Sequence, residues 1–219
     1  MKKLLLLPFL ILLLTSCKAI HHGVRGNGNI KQEKRDVATF DSISTEGAFE
    51  IEIVAQKPQS LEIEGDDNIL PLVGTEVSGK VLHLKNLRGY STSRPIIVRI
   101  SVPDLMRVDS SGAGSIQVSG VKNDRFDIHT NGAPAIRASG ETKQLNIDAN
   151  GAGSIETFRL RSARAVVDSK GVSKVEVNAS ETLDITVNGP STVIYQGRAV
   201  VKQTVNGPGS VQRKETEGS

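Results

Sequence analysis

The chain has 219 residues, a formal net charge of +3, and 3% aromatic residues (five Phe, two Tyr, no Trp) against 21 Gly. A core of large rings is thereby excluded. Val, Ile and Leu must fill it instead, and their fit to a pleated surface favours regular strand packing. Lys2 and Lys3 lie in a segment read below as removed, which leaves 25 basic residues against 24 acids and disfavours nucleic acid as a partner.

The first segment reads as an export signal. Lys2-Lys3 form a positive n-region, and Leu4–Leu14 an apolar h-region broken only by Pro8. Its eleven residues are too few to span a hydrocarbon layer of roughly 30 Å as a stable helix. The h-region ends in Leu14-Thr15-Ser16-Cys17, which resembles a bacterial lipobox. That resemblance implies cleavage before Cys17 and a diacylglycerol on its thiol. Cys17 is the sole cysteine, so a disulfide framework and a cysteine metal cluster are both excluded. The expected divisions are a signal peptide over 1–16, a lipidated Cys17 and flexible tether over 17–35, a head domain over 36–213, and a polar tail over 214–219. His21-His22 in the tether have no third ligand near them in sequence, so they read as spacer, and no metal or other cofactor is expected.

From Phe40 onward the pattern turns to period two. Ala48–Val54 and Ser60–Glu64 alternate apolar with acidic residues, as half-buried strands do. Gly65–Asn68 reads as a turn, and Val81–Leu84 and Ile96–Val102 continue the strands. Asn68–Val73 has room for one short helical turn. The chain is expected to be all-β.

An internal repeat begins at residue 106. Its lead glycines are Gly112, Gly132, Gly151, Gly171, Gly189 and Gly207, spaced 20, 19, 20, 18 and 18 residues apart. Four residues past each stands Ile116, Ile136, Ile155, Val175, Val193 or Val211. Six before stands Met106, Phe126, Leu145, Ala165, Leu183 or Val201, and four before stands Val108, Ile128, Ile147, Val167, Ile185 or the polar Gln203. So short a unit, with two apolar strands and one glycine corner, suits a coil of a β-solenoid that buries its apolar residues against its neighbours. A β-sandwich also places turns every 8–12 residues, but it does not require the same corner in the same register six times. Asn131, Asn150, Asn188 and Asn206 precede four of the glycines, with Lys170 interrupting the column. Stacked about 4.8 Å apart, such amides can form a hydrogen-bonded ladder. Asn is also a good turn former before Gly.

Arg35–Ile43, Gly47–Ile53, Ile100–Leu105 and the Ser-Gly-Ala-Gly-Ser-Ile repeats together resemble the head GIN domain of auto-transporter adhesins, over residues 36–212. The resemblance implies a right-handed, single-stranded parallel β-helix on an envelope lipoprotein, with an adhesin role and no catalytic residues. A translocator barrel segment is not found here, so the lipid is expected to provide the attachment.

Three functions compete. A polysaccharide lyase or hydrolase needs clustered carboxylates, and Asp109, His129, Asp148 and Asp168 share one column, with Asp127 beside it. Stacking puts Asp148 and Asp168 about 4.8 Å apart, near the two-carboxylate distance of retaining glycosidases. Acids at a strand end more often serve as solvated or hydrogen-bonded groups, and aromatic subsites and cleft loops are missing. A non-catalytic binding module for a glycan, another extended polymer or an envelope protein is the favoured reading. The third is a structural or stress-response lipoprotein without a specific ligand. The location expected is the bacterial envelope, lipid-anchored at the outer membrane, with oligomerisation left open.

Overall fold

Alternation of apolar and polar side chains lets a strand bury one face while its backbone pairs on both edges. Phe49–Ala55 follows that rule, with Phe49, Ile51, Ile53 and Ala55 buried and Glu50, Glu52 and Val54 exposed. The computed structural model describes residues 23–214. Within them the long strands Ser115–Gly132, Ala135–Gly151, Ser154–Gly171 and Lys174–Asn188 lie parallel, each hydrogen-bonded to the coil before and after it. The result is a β-solenoid of about 5 turns.

Each long strand bends and contributes to two sides. One side stacks Arg107–Ser110 on residues 125–132, 144–151, 164–171, 182–188 and 200–206. The other stacks Phe49–Ala55 on 115–119, 135–138, 154–156, 174–179 and 192–197, and ends in Ser210–Arg213. Between the sides run the expected apolar columns. Phe126, Leu145, Ala165 and Leu183, then Ile128, Ile147, Val167 and Ile185, meet Ile116, Ile136, Ile155, Val175 and Val193, and all are buried. Burying side chains of this size contributes about 1.5–3 kcal/mol each for the larger ones.

Three expectations need correction. Met106 is exposed, because it precedes Arg107–Ser110, and the buried Leu105 fills the interior instead. Val201 and Val211 are only partly buried, since the last coil is covered from one side. The tether reading fails over residues 23–34, which include the strands Val24–Arg25 and Ile30–Lys34. The second of these pairs antiparallel with Ser60–Asp66. An edge strand gains its backbone hydrogen bonds without burying side chains, so its polar sequence is no obstacle. The buried Asp66 adds an anchor by accepting from the Gly28 N–H. Cys17, His21 and His22, with the tail beyond Lys214, lie outside the described residues.

The end nearest the amino terminus is closed differently from the coils. Val73–Ser78 and Val81–Asn86 form an antiparallel pair, preceded by one 3-10 turn at Leu70–Leu72, the short helical turn foreseen there.

Candidate functional site

Both corners of the coil can be measured from the register. At the glycine corner, Ser110, Thr130, Ala149, Ser169, Val187 and Val205 form one column, and Ser115, Ala135, Ser154, Lys174, Thr192 and Ser210 the next. The step between the two columns is always five residues. Here backbones pass so close that a Cβ on Gly151 would lie 2.1 Å from the Gly132 carbonyl oxygen, at a φ of +123°. Only glycine fits both the contact and the conformation. Gly112, Gly132 and Gly171 meet the preceding corner at 1.8, 2.4 and 2.3 Å, whereas Gly189 and Gly207 have 3.1 and 3.5 Å.

Beside this corner lies the flat polar face. Asp109, His129, Asp148, Asp168 and Thr186 occupy one outward column, and Asn131, Asn150, Lys170, Asn188 and Asn206 the next. The chain thus brings together the residues singled out from sequence, but with different bonding. The Asn206 amide donates to the Asn188 oxygen at 2.9 Å, while Asn150 turns along its own strand to Asp148 at 3.0 Å. An amide ladder is therefore made at one step, and Lys170 breaks it in the middle.

The carboxylates are engaged. His129 Nδ1 lies 2.9 Å from Asp109 Oδ1, and Lys170 Nζ lies 2.8 Å from Asp168 Oδ2. Asp127 accepts from Arg125 and from Asn146 at 2.6 Å. The hydrogen bond and charge of Asp168, with Asp148 adding to them, hold the Lys170 ammonium above the usual lysine range. Asp168 Oδ1 is buried and has no hydrogen-bond partner. The hollow along this face is shallow, about 160 Å³, and is bordered by Asp109, His129, Asn131 and Asn150. Among the described residues, no group of three or more His, Cys, Asp or Glu is placed to hold a metal. His83 joins the same outward column through its pairing with Ser44, with Ser44 and Asp109 between it and His129.

The opposite corner was not legible as a site. From Gln117 to Arg125, Arg137 to Gln144, Glu156 to Arg164, Glu176 to Thr182 and Ile194 to Val200, the steps are 8, 7, 8, 6 and 6 residues. All variation in coil length arises there. Phe158, half-buried, stands on one of the longest versions of this corner. The signal was present in the uneven glycine spacing, which the constant step at the glycine corner now assigns to this side.

The family model described as "Putative auto-transporter adhesin, head GIN domain" matches residues 39–199. No curated protein matches the sequence. A putative adhesin from Bacteroides fragilis NCTC 9343 shares the fold at a TM-score of 0.70 and 20% identity, covering 88% of this chain and 100% of its own. One from Parabacteroides merdae ATCC 43184 gives 0.57 at 20% identity, covering 88% and 99%. A crystal structure described as a putative lipid binding protein, from Parabacteroides distasonis ATCC 8503, gives 0.57 at 18% identity with the same coverage of 88% and 99%. At these identities the likeness is one of fold.

Proposed function

This chain belongs to the head GIN domain family, and on that premise we propose that it is a non-catalytic, adhesin-like binding module of the bacterial envelope. A diacylglycerol on Cys17 holds it to the outer membrane, and the solenoid presents its sides to an extended glycan or to another envelope protein. The observation that carries this reading is the flat side next to the glycine corner. Its outward columns repeat Asp, His, Thr and Asn, with Lys170 among them, from coil to coil at about 4.8 Å, a spacing suited to serial hydrogen bonding along a polymer. Asp109, Asp127, Asp148 and Asp168 each already have a side-chain partner, which favours binding over acid–base work at this face. Among the described residues, no helix is long and apolar enough to cross a membrane.

Two measurements test the reading. Cys17→Ala should release the protein from the envelope fraction after a salt wash, because two or three acyl chains at about 0.8 kcal/mol per buried CH₂ dominate the attachment. A glycan array and capture of purified envelope proteins, both with the full chain, should give at least one saturable partner. Glycan turnover abolished by Asp148→Asn would overturn the non-catalytic reading. Silence on both screens would favour a structural lipoprotein.

A further inference from the structure

The corner opposite the glycines carries a site of its own. Register is kept across the column Gln117, Arg137, Glu156 and Glu176 and then slips between each of these coils, whereas the last pair, from Glu176 to Ile194, stays in step. Beyond Arg137 and Glu156 the pairing resumes at Ser139 and Arg159, one residue out of step. The next coil is two residues shorter at the same corner. Residues 158–161 therefore form a ledge beside a shorter neighbour. It is held in place, since Asn178 Nδ2 and Gln196 Nε2 both donate to the Phe158 carbonyl at 3.1 Å.

Open grooves of about 710 and 530 Å³ flank the ledge, and Phe158 and Arg159 border both. The acids in their walls are already matched to cations. Glu141 meets Arg161 at 3.2 Å, Glu156 meets Arg137 at 2.9 Å, and Glu176 meets Lys174 at 2.7 Å. Lys122, Arg159 and Lys214 have no carboxylate partner among the described residues. Lys214 Nζ instead sits 4.5 Å from the centroid of the Phe158 ring. Lys122 thus borders the first groove, Lys214 the second and Arg159 both, with the Phe158 ring between the grooves and the Gln117 and Gln196 amides at the wall of the second.

We propose that this ledge is a subsite for a carboxylate-bearing sugar residue of an acidic polysaccharide. The assignment deepens the binding-module reading and rests on it. A guanidinium matches a carboxylate with two parallel hydrogen bonds. The Phe158 ring offers an apolar plane for the C–H face of a pyranose, and the amides suit its hydroxyls. Lys214 leaves the ring for the incoming carboxylate, and the sugar takes its place. A nucleic acid strand calls for a series of stacking rings, whereas among the described residues Phe158 is the one aromatic residue bordering either groove. An extended peptide calls for a free strand edge, whereas the edge left unpaired at residues 157–161 has its Phe158 carbonyl already taken by the Asn178 and Gln196 side chains.

The test is calorimetric titration of the full chain with oligogalacturonate, with oligosialate, and with fully methyl-esterified oligogalacturonate. The first two separate a uronate from a sialate, and the ester keeps the sugar ring while removing the charge. One of the two acids should bind, and binding should weaken with added salt. For a galacturonate ligand, the ester should bind at least tenfold more weakly. Phe158→Ala and Arg159→Ala should each weaken the acidic ligand at least tenfold, with unchanged thermal unfolding. Arg88→Ala, which removes an exposed cation from the other end of the molecule, should bind like the parent. Failure of both acids to bind overturns the proposal, as does equal binding of ester and acid. Parent-like binding by the Phe158 and Arg159 variants also overturns it. If a glycan is instead lost with His129→Ala and kept with Phe158→Ala, the ledge is wrong while the binding module stands.

Discussion

The two corners of one coil obey different rules. The glycine corner repeats with a step of five residues at every level, and from Gly112 to Gly171 backbones touch there without room for a methyl group. The opposite corner varies from 6 to 8 residues, and its longer versions carry exposed side chains such as Arg159 and Arg161. Freedom to vary in length is confined to one corner of this fold. Stacking demands registry at one corner, and once that is met the other can change length. Insertions of this kind cost little in a surface connection. Construction is concentrated at the first corner, and the proposed recognition at the second.

Removing part of a coil should do the molecule the most damage. Excision of Gly151–Leu160 places the wrong side against its neighbours, and inward residues no longer match. With only about 5–15 kcal/mol of total stability in most domains, the product should lose cooperative unfolding. Excision of Gly151–Lys170 removes a whole coil and joins Asn150 to Gly171, so it should melt cooperatively with one layer fewer. Circular dichroism melts of the two products decide the matter, and equal damage contradicts the assignment of the coil.

A milder contrast lies within the glycine column. Gly151→Ala drives a methyl group to 2.1 Å from backbone at positive φ, and should destabilise by about 3 kcal/mol or more. Gly207→Ala meets its nearest neighbour at 3.5 Å, and its positive φ alone should cost about 1–2 kcal/mol. Urea unfolding of the pair measures the difference, which the tight packing of the inner coils requires to be large.

Smaller than the Gly151 effect, and comparable to that of Gly207, is the effect of Ser191→Ala. The buried Ser191 hydroxyl accepts from the Ser173 N–H at 3.2 Å and lies 3.0 Å from the Gly171 carbonyl oxygen, to which it donates. Its loss leaves a buried N–H without that partner, for about 1–3 kcal/mol. Ser191→Thr, which keeps the hydroxyl, should recover part of that loss in the same unfolding assay.

The smallest expected effect is one of pH. Asp168 raises the folded-state pKa of Lys170. The stabilising contribution is therefore complete below the ordinary lysine value and disappears as pH rises through the folded-state value. Lys170→Met should remove that alkaline dependence and leave the neutral melt nearly unchanged, because the pair is exposed. A steeper alkaline loss in the variant would contradict the pairing.

Much of the fold was legible because repetition reports the same physical demand many times. Ile116, Ile136, Ile155 and Val175 recur at one place because each covers the one before it. Single events left no such trace. Ile30–Lys34 joins an edge through its backbone, a contact that polar side chains neither announce nor prevent. The asparagine column was visible, but the choice of Asn150 for Asp148 over its stacked neighbour depends on side-chain geometry. Phe158 was hidden for the opposite reason, since it stands where the repeat departs from itself.

Paired insertions test the division of labour between the corners most directly. Two residues, Gly-Ser, are added between Gly151 and Ala152 in one variant, and between Ser180 and Glu181 in the other. The second site lies on one of the shortest versions of the variable corner, where the coil immediately before it is two residues longer. Thermal unfolding should collapse for the first insertion and stay within a few degrees of the parent for the second. Equal loss at both corners would contradict the account.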